Sequence, residues 1–282
     1  MTVRVLVLGA GGQVGRALVA ALPGVTALGH AELDIADAAN AAIDWPAYDT
    51  VVNAGAFTDV DAAETDEGRA AAWRANAAGP AALAALCRRG GATLVHLSTE
   101  YVFDGRAAQP YREDAPVAPL SAYGASKAAG DLAVQSLERY YLVRPTWVVG
   151  EGRNFVRTML GLAAKGVEPT VVADQVGRPT FATDLAAAIV HLVADGAPYG
   201  TYHVTGGGEP ASWAEVARAT FALAGRSDLR VTDTTTAEYF AGKPQAAPRP
   251  LNSVLDLSRA SAVGVELPDW RERLAEYVSS HP

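Results

Sequence analysis

Tyr123 and Lys127 stand four residues apart in Tyr123-Gly124-Ala125-Ser126-Lys127, and on a helix side chains at i and i+4 share one face. A free phenol titrates near ~10 and is a poor partner for proton transfer at neutrality; a neighbouring ammonium favours the phenolate and lowers that value. Ser98-Thr99 closes a Val/Leu-rich run at residues 93–97. The stretch between Thr99 and Tyr123 is long enough for one loop and the start of a helix, so a second hydroxyl can meet the tyrosine from an adjoining strand end. Two hydroxyls beside one amine suit proton transfer to a carbonyl oxygen, which makes Thr99, Tyr123 and Lys127 the candidate catalytic set.

A reduction also needs a hydride donor, and the opening of the chain supplies a place for one. Residues 3–8 read as a strand, followed by Gly9-Ala10-Gly11-Gly12-Gln13-Val14-Gly15 and a helical segment at 14–22. In this GxxGxxG spacing Gly9 and Gly12 let the backbone turn sharply and approach a pyrophosphate. Gly15 permits close helix packing, and the helix N-terminus offers unpaired N–H groups. A carboxylate for the adenosine ribose is expected at the end of the second strand, where the chain reads Leu28-Gly29-His30-Ala31 and has none. Asp34 and Ile35 are spaced to flank the adenine, and Asp34 reads equally well as an N-cap before Ala36. With Arg16 and His30 near that strand end a 2′-phosphate meets no fixed negative charge, so NADPH and NADH both stay open, with a tilt to NADPH. Asn53-Ala54-Gly55-Ala56 follows a third strand, and small residues there let a flat cofactor lie on the backbone.

The elements that must position these groups alternate in type. Apolar runs at 3–8, 25–28, 50–53, 93–97 and 140–144 suit strands buried on both faces, and segments 14–22, 67–88 and 121–137 have helical length and composition. That alternation predicts an α/β fold, a Rossmann-like doubly wound parallel sheet. Beyond Gly150 the pattern loosens into helical stretches at 155–162, 182–193 and 213–224 and a strand at 201–204, which predicts a smaller, interwoven C-terminal substrate lobe. The expected division is a dinucleotide-binding domain at 1–150 with 180–205 returning to it, and a substrate lobe from 151–179 and 206–282. Pro-rich residues 244–250 predict a loop leading back to the cleft.

Composition narrows the function classes. The 282 residues are 50% hydrophobic, enough for a sizeable core, and 23 Lys plus Arg against 31 Asp plus Glu give a net charge of −8, which argues against a nucleic-acid partner. One cysteine, Cys87, suits a reducing cytoplasm. The first residues lack the cleavage site of a signal peptide, and no apolar run is long enough for a bilayer. Five histidines without metal-ligand spacing give metal catalysis no support, and the Gly-x-Ser-x-Gly elbow of a serine hydrolase is missing.

With these motifs in order, the chain resembles the extended short-chain dehydrogenase/reductases, and within them the dTDP-4-dehydrorhamnose reductase family. The resemblance rests on Gly9 to Gly15, Asn53-Ala54-Gly55-Ala56-Phe57-Thr58-Asp59-Val60-Asp61-Ala62-Ala63-Glu64, Leu97-Ser98-Thr99-Glu100-Tyr101-Val102-Phe103-Asp104-Gly105 and Tyr123 to Gly130. It also rests on Arg144-Pro145-Thr146-Trp147, Asn154-Phe155-Val156, Asp174-Gln175-Val176-Gly177-Arg178-Pro179-Thr180 and Pro248-Arg249-Pro250-Leu251-Asn252-Ser253. It implies NAD(P)H-dependent reduction of the C4 ketone of dTDP-4-dehydro-L-rhamnose, catalysed by Thr99, Tyr123 and Lys127. Gly9, Gly12, Gln13 and Val14 would lie on the pyrophosphate, and Thr58, Val60, Tyr101 and Trp147 would face the sugar nucleotide. Asn154, Gln175, Arg178 and Arg249 would stand near the nucleotide or its phosphates, with Trp147 alternatively a core aromatic and the last four alternatively structural. Glu100 replaces the usual Asp, Asp131 the usual Glu and Pro145 a common Thr, which leaves open another dTDP-4-keto-6-deoxyhexose as substrate. A non-catalytic dinucleotide-binding regulatory subunit is the rival of a different class; a dehydratase is disfavoured because Tyr101 and Val102 follow Glu100. A homodimer stays open.

Overall fold

A computed structural model describes residues 4–243 and 245–281. Val3, the predicted start of the first strand, and Pro244, the first residue of the Pro-rich loop, lie outside the described residues. The central sheet holds six parallel strands: β1 (Val5–Leu8), β2 (Thr26–Leu28), β3 (Thr50–Asn53), β4 (Thr93–Leu97), β5 (Tyr140–Arg144) and, later in the chain, β10 (Gly200–His203). Their spatial order is β10-β5-β4-β3-β1-β2. From β1 the chain steps to β2 on one side and then crosses to β3 on the other, so a crevice opens beyond the C-terminal ends of β1 and β3, where doubly wound sheets bind ligands. Helices α1 (Gln13–Ala21), α2 (Asp66–Trp73), α3 (Gly79–Gly90) and α4 (Ala122–Gln135) cover the sheet.

Strands β3, β4 and most of β5 are buried along their length, as their Val/Leu runs require. The second strand differs from its predicted two-sided burial: β2 omits Val25 and is an edge strand with Thr26 and Ala27 exposed. The predicted single helix at 67–88 is also interrupted, by a π-helical turn over Arg74–Ala78 between α2 and α3. Asn76 is buried in that turn; its amide accepts from Phe57 N at 2.9 Å and donates to Phe57 O at 3.0 Å and to Ser126 Oγ at 3.1 Å. The wound-out turn thus fixes the loop after β3 to α4, a use typical of π-bulges.

The remaining strands are two- and three-residue pieces: β6 (Val148–Val149) with β9 (Thr180–Phe181), β7 (Thr170–Val172) with β12 (Thr232–Thr234), and β8 (Val176–Gly177) with β11 (Ala211–Ser212). Around them lie α5 (Phe155–Ala164), α6 (Ala182–Ala194), α7 (Trp213–Leu223), α8 (Thr236–Tyr239), α9 (Ser258–Ala262) and α10 (Trp270–Ser279). Helix α6 packs with α1 against the central sheet through Leu185, Ile189 and Leu192, while α5, α7 and α10 enclose cores around Phe221 and Trp270. Among the described residues no helix is long and apolar enough to cross a membrane.

Candidate active site

A cleft of about 1110 Å³ lies at the C-terminal ends of the central strands, walled by the turn after β1, the loop after β3, the end of β4, the face of α4 and the segment after β5. Thr99, Tyr123 and Lys127 all line it. Ser121 caps α4, its hydroxyl accepting from Gly124 N at 3.1 Å, which sets the phase that turns both Tyr123 and Lys127 inward. Thr99 caps the short turn Glu100–Val102. Lys127, buried at 1% exposure, donates from Nζ to Leu97 O at 2.6 Å. Burial brings its ammonium down to about 8, with Asp131 opposing.

The expectation that Lys127 lowers the Tyr123 phenol is overturned. Burial, and next the negative charge of Glu100, push Tyr123 up, against the hydrogen bond from Thr99. Lys127 is turned to the Leu97 carbonyl. Tyr123 is therefore held as the neutral phenol, the form that gives a proton. Behind the trio, Asp131 and Arg144 form an ion pair at 3.2 Å with both side chains 2% exposed, so the Asp that replaces the usual Glu is matched by a guanidinium.

The glycine turn has two kinds of glycine. A Cβ on Gly9, whose φ is +75°, would stand 2.4 Å from Gly55 N, and one on Gly15 would stand 2.1 Å from Gly9 O, so both serve the internal fit of turn, helix and sheet. A Cβ on Gly11 would meet nothing within 4 Å, and one on Gly12 only Gly9 O at 3.4 Å. Their open side faces the cleft. Helix α1 begins there without a side-chain cap and without an acidic residue in its first turn, so its N-terminal amides and positive dipole end are available to a phosphate. The residues present fit a dinucleotide.

Val14, Asp34, Ile35, Ala54 and Ala56 also line the cleft. Asp34 has further partners: it caps the turn Ile35–Asn40 by accepting from Ala36 N at 3.0 Å, and it pairs with Arg74 at 3.2 Å. The strand end read as free of carboxylate is not, because Glu32 folds back so that its Oε2 accepts from Gly29 N at 2.8 Å. Asn53 is fully buried and off the cleft wall; its Nδ2 donates to His96 Nδ1 at 3.0 Å and its Oδ1 accepts from Gly55 N at 3.0 Å, so it shapes the loop. Gln13 lines the cleft and ties it together, its Oε1 accepting from Gly150 N at 2.8 Å.

Thr58, Val60, Tyr101, Trp147 and Asn154 reach the cleft. Trp147 adopts φ 44° and stacks on Trp213 with centroids 3.8 Å apart, so it is both wall and packing residue. Asn154 spends its amide on the α5 cap, on Gly150 O at 2.7 Å and on Tyr277 Oη at 3.0 Å. Gln175, Arg178 and Arg249 are not brought to the cleft wall. Gln175 donates to Thr236 Oγ1 at 3.0 Å, Arg178 to the carbonyls of Gly208 and Leu255, and Arg249 to Asp61 at 2.6 and 2.8 Å. The sequence reading passed over Arg74 and Trp213, which line the cleft, and gave Glu100 no role. For Arg74 and Trp213 only their positions beside Asp34 and Trp147 in space mark them, whereas Glu100 stands next to Thr99 in the sequence itself.

The model of the RmlD substrate binding domain family matches residues 3–281. The chain belongs to that family. It is 42% identical to a dTDP-4-dehydrorhamnose reductase of Streptomyces griseus, over 97% of this chain and 92% of the relative. It is 43% identical to a probable dTDP-4,6-dihydroxy-2-methyloxan-3-one 4-ketoreductase of Streptomyces antibioticus, over 97% and 94%. Among solved structures it is similar to a dTDP-4-dehydrorhamnose reductase from Bacillus anthracis in complex with NADP, at TM-score 0.87 and 33% identity, covering 99% of this chain and 100% of that one. At that similarity this chain and that structure share one overall fold.

Proposed function

We infer that this chain is an NAD(P)H-dependent nucleotide-sugar ketoreductase that reduces the C4 ketone of dTDP-4-dehydro-L-rhamnose to dTDP-L-rhamnose. The observation that carries the reading is the convergence of Thr99, Tyr123 and Lys127 on one cleft with the open glycine turn, in a chain that matches reductases of this kind along nearly its whole length. When bound, the reduced nicotinamide supplies the hydride. Tyr123, kept protonated by burial, gives the proton to the ketone oxygen, and Thr99 holds that oxygen in place. Lys127 holds the nicotinamide ribose once a ligand draws its ammonium from Leu97 O. Gly11, Gly12 and the first turn of α1 hold the pyrophosphate, while Thr58, Val60, Tyr101 and Trp147 form the sugar-nucleotide wall. We place the reaction in the cytoplasm, in keeping with a single buried thiol, Cys87.

A second reading keeps the chemistry and changes the sugar, because the relative named as acting on dTDP-4,6-dihydroxy-2-methyloxan-3-one is as similar as the dehydrorhamnose reductase. Incubating the protein with NADPH or NADH and a panel of dTDP-4-keto-6-deoxysugars, while following the absorbance of the reduced cofactor, decides both. Fastest turnover with dTDP-4-dehydro-L-rhamnose is expected. Faster turnover of another ketosugar selects the second reading, and cofactor binding without oxidation by any sugar replaces both with a regulatory subunit.

A further inference from the structure

Glu100 follows Thr99 directly, is 3% exposed and meets Thr99 Oγ1 through its Oε2 at 2.8 Å. A hydroxyl has one proton to give and two lone pairs. One lone pair of Thr99 accepts from Tyr101 N at 3.3 Å, and Tyr123 takes up another side of the same hydroxyl. While Glu100 is a carboxylate, Thr99 must give it the only proton it has, and nothing remains to hold a ketone oxygen. With Glu100 protonated, the carboxyl donates to Thr99 and the threonine proton is free to turn to Tyr123 or the substrate.

We propose that Glu100 is a positioning residue that acts through Thr99 as a carboxylic acid, orienting the Thr99 hydroxyl and resupplying the Tyr123 proton. The proposal rests on the ketoreductase reading above. The ketone carbon gains the hydride of the reduced nicotinamide and its oxygen gains the Tyr123 proton. Tyr123 then takes the Thr99 proton, and Thr99 takes the Glu100 proton. The cofactor ends oxidised, the ketone ends as an alcohol and Glu100 ends as a carboxylate, reprotonated from solvent when the product leaves.

The surroundings keep the acid form within reach. Burial brings the Glu100 carboxyl from 4.5 up to about 7, against hydrogen bonds from Thr99 and Ser253. The groups that meet it or feel its charge are Thr99 and Tyr101 beside it, Tyr123 from α4 and Ser253 from the loop near the C-terminus, while Asp131 acts on Tyr123, and Arg249 on Tyr101. Lys127 is directed to Leu97 O and Arg249 to Asp61, and no cation pairs with Glu100 among the described residues.

Glu100→Gln keeps the size and polarity of the side chain and removes its proton. Turnover of the wild type should fall as pH rises through about 7, whereas Glu100→Gln should be slower by roughly tenfold or more at low pH, lack that limb and keep its KM within about twofold. Glu100→Asp should restore a pH-dependent limb. Two readouts need no turnover. An infrared carboxyl band present in the wild type and missing in Glu100→Gln should titrate near neutrality. The folded carboxyl titrates above its unfolded value of 4.5, so its contribution to stability is full below that pH and lost as pH rises through about 7. The urea midpoint of the wild type should therefore decline across that window relative to Glu100→Gln. A wild type that reduces no ketosugar but titrates this band overturns the function and keeps the buried acid. Equal pH profiles for wild type and Glu100→Gln, or a band that has titrated fully near the ordinary carboxyl value, overturn the proposal.

Discussion

A phenol in a dry pocket beside a carboxyl gives up its proton reluctantly, and for a reduction that reluctance is useful because the proton must still be present when the ketone oxygen becomes basic. Tyr123→Phe removes that one hydroxyl and leaves the ring, its edge contact with Tyr101 at 5.5 Å and the α4 packing in place. Turnover should drop by roughly two or more orders of magnitude with cofactor affinity and melting temperature nearly unchanged. Turnover at the parental rate would show that another group supplies the proton. The identities of Thr99, Tyr123 and Lys127 are legible in the sequence because helix geometry puts i and i+4 on one face and a strand end beside it. The direction of the Tyr123 shift is not legible. It depends on how deeply the ring is buried and on Lys127 finding the carbonyl of Leu97, a pairing created when α4 packs on β4.

At the scale of elements the glycine turn divides its labour, and substitutions should divide with it. Gly12 has extended backbone, φ −76° and ψ 171°, and a Cβ there meets only Gly9 O at 3.4 Å, so Gly12→Val can fold while its methyls occupy the phosphate side. A folded Gly12→Val with cofactor affinity reduced by about tenfold or more is expected by titration of protein fluorescence. Gly9→Ala instead drives a Cβ into the loop after β3 and should lower the melting temperature before any ligand is added. Unchanged affinity in Gly12→Val would remove the pyrophosphate from this turn. The neighbouring end of β2 governs cofactor choice. Asp34 is drawn to Ala36 N and Arg74, and Glu32 to Gly29 N, whereas Arg16 lines the cleft. NADPH should therefore give a kcat/KM at least equal to that of NADH, and Arg74→Ala, by releasing Asp34, should shift the ratio toward NADH. A strong preference of the wild type for NADH would mean that one of the two carboxylates reaches the ribose. The alternation of strands and helices made the sheet readable, but the π turn at Arg74–Ala78 was hidden in an Ala-rich run that reads as uninterrupted helix. Asn76 takes its meaning from Phe57 and Ser126, residues distant in sequence.

Over the whole molecule, the first and last helices both bond to one residue beside the cleft, Gly150. The C-terminal helix α10 is anchored by Trp270, 1% exposed, whose Nε1 donates to Glu209 O at 2.9 Å. One turn from its end, Tyr277 Oη donates to Gly150 O at 2.8 Å and accepts from Asn154 Nδ2 at 3.0 Å. Gly150 N in turn donates to Gln13 Oε1 at 2.8 Å in the first helix. The glycine turn, the elbow after β6 and helix α10 are thus joined through one residue, Gly150. No local pattern announces this, because Tyr277 looks like an ordinary helix aromatic until the fold closes. Tyr277→Phe keeps the ring and its stack on His281, with centroids 4.3 Å apart, and removes the hydroxyl that bridges Gly150 and Asn154. A loss of about 1 kcal/mol is expected, seen as a melting temperature lower by roughly 2 °C. Because the elbow positions the cleft wall and not the reacting atoms, KM for the cofactor should rise several-fold while kcat stays near the parental value. A fall in kcat as large as that of Tyr123→Phe would put α10 in the chemistry. No change in either constant would mean that Asn154 and Gln13 hold the elbow without the last helix.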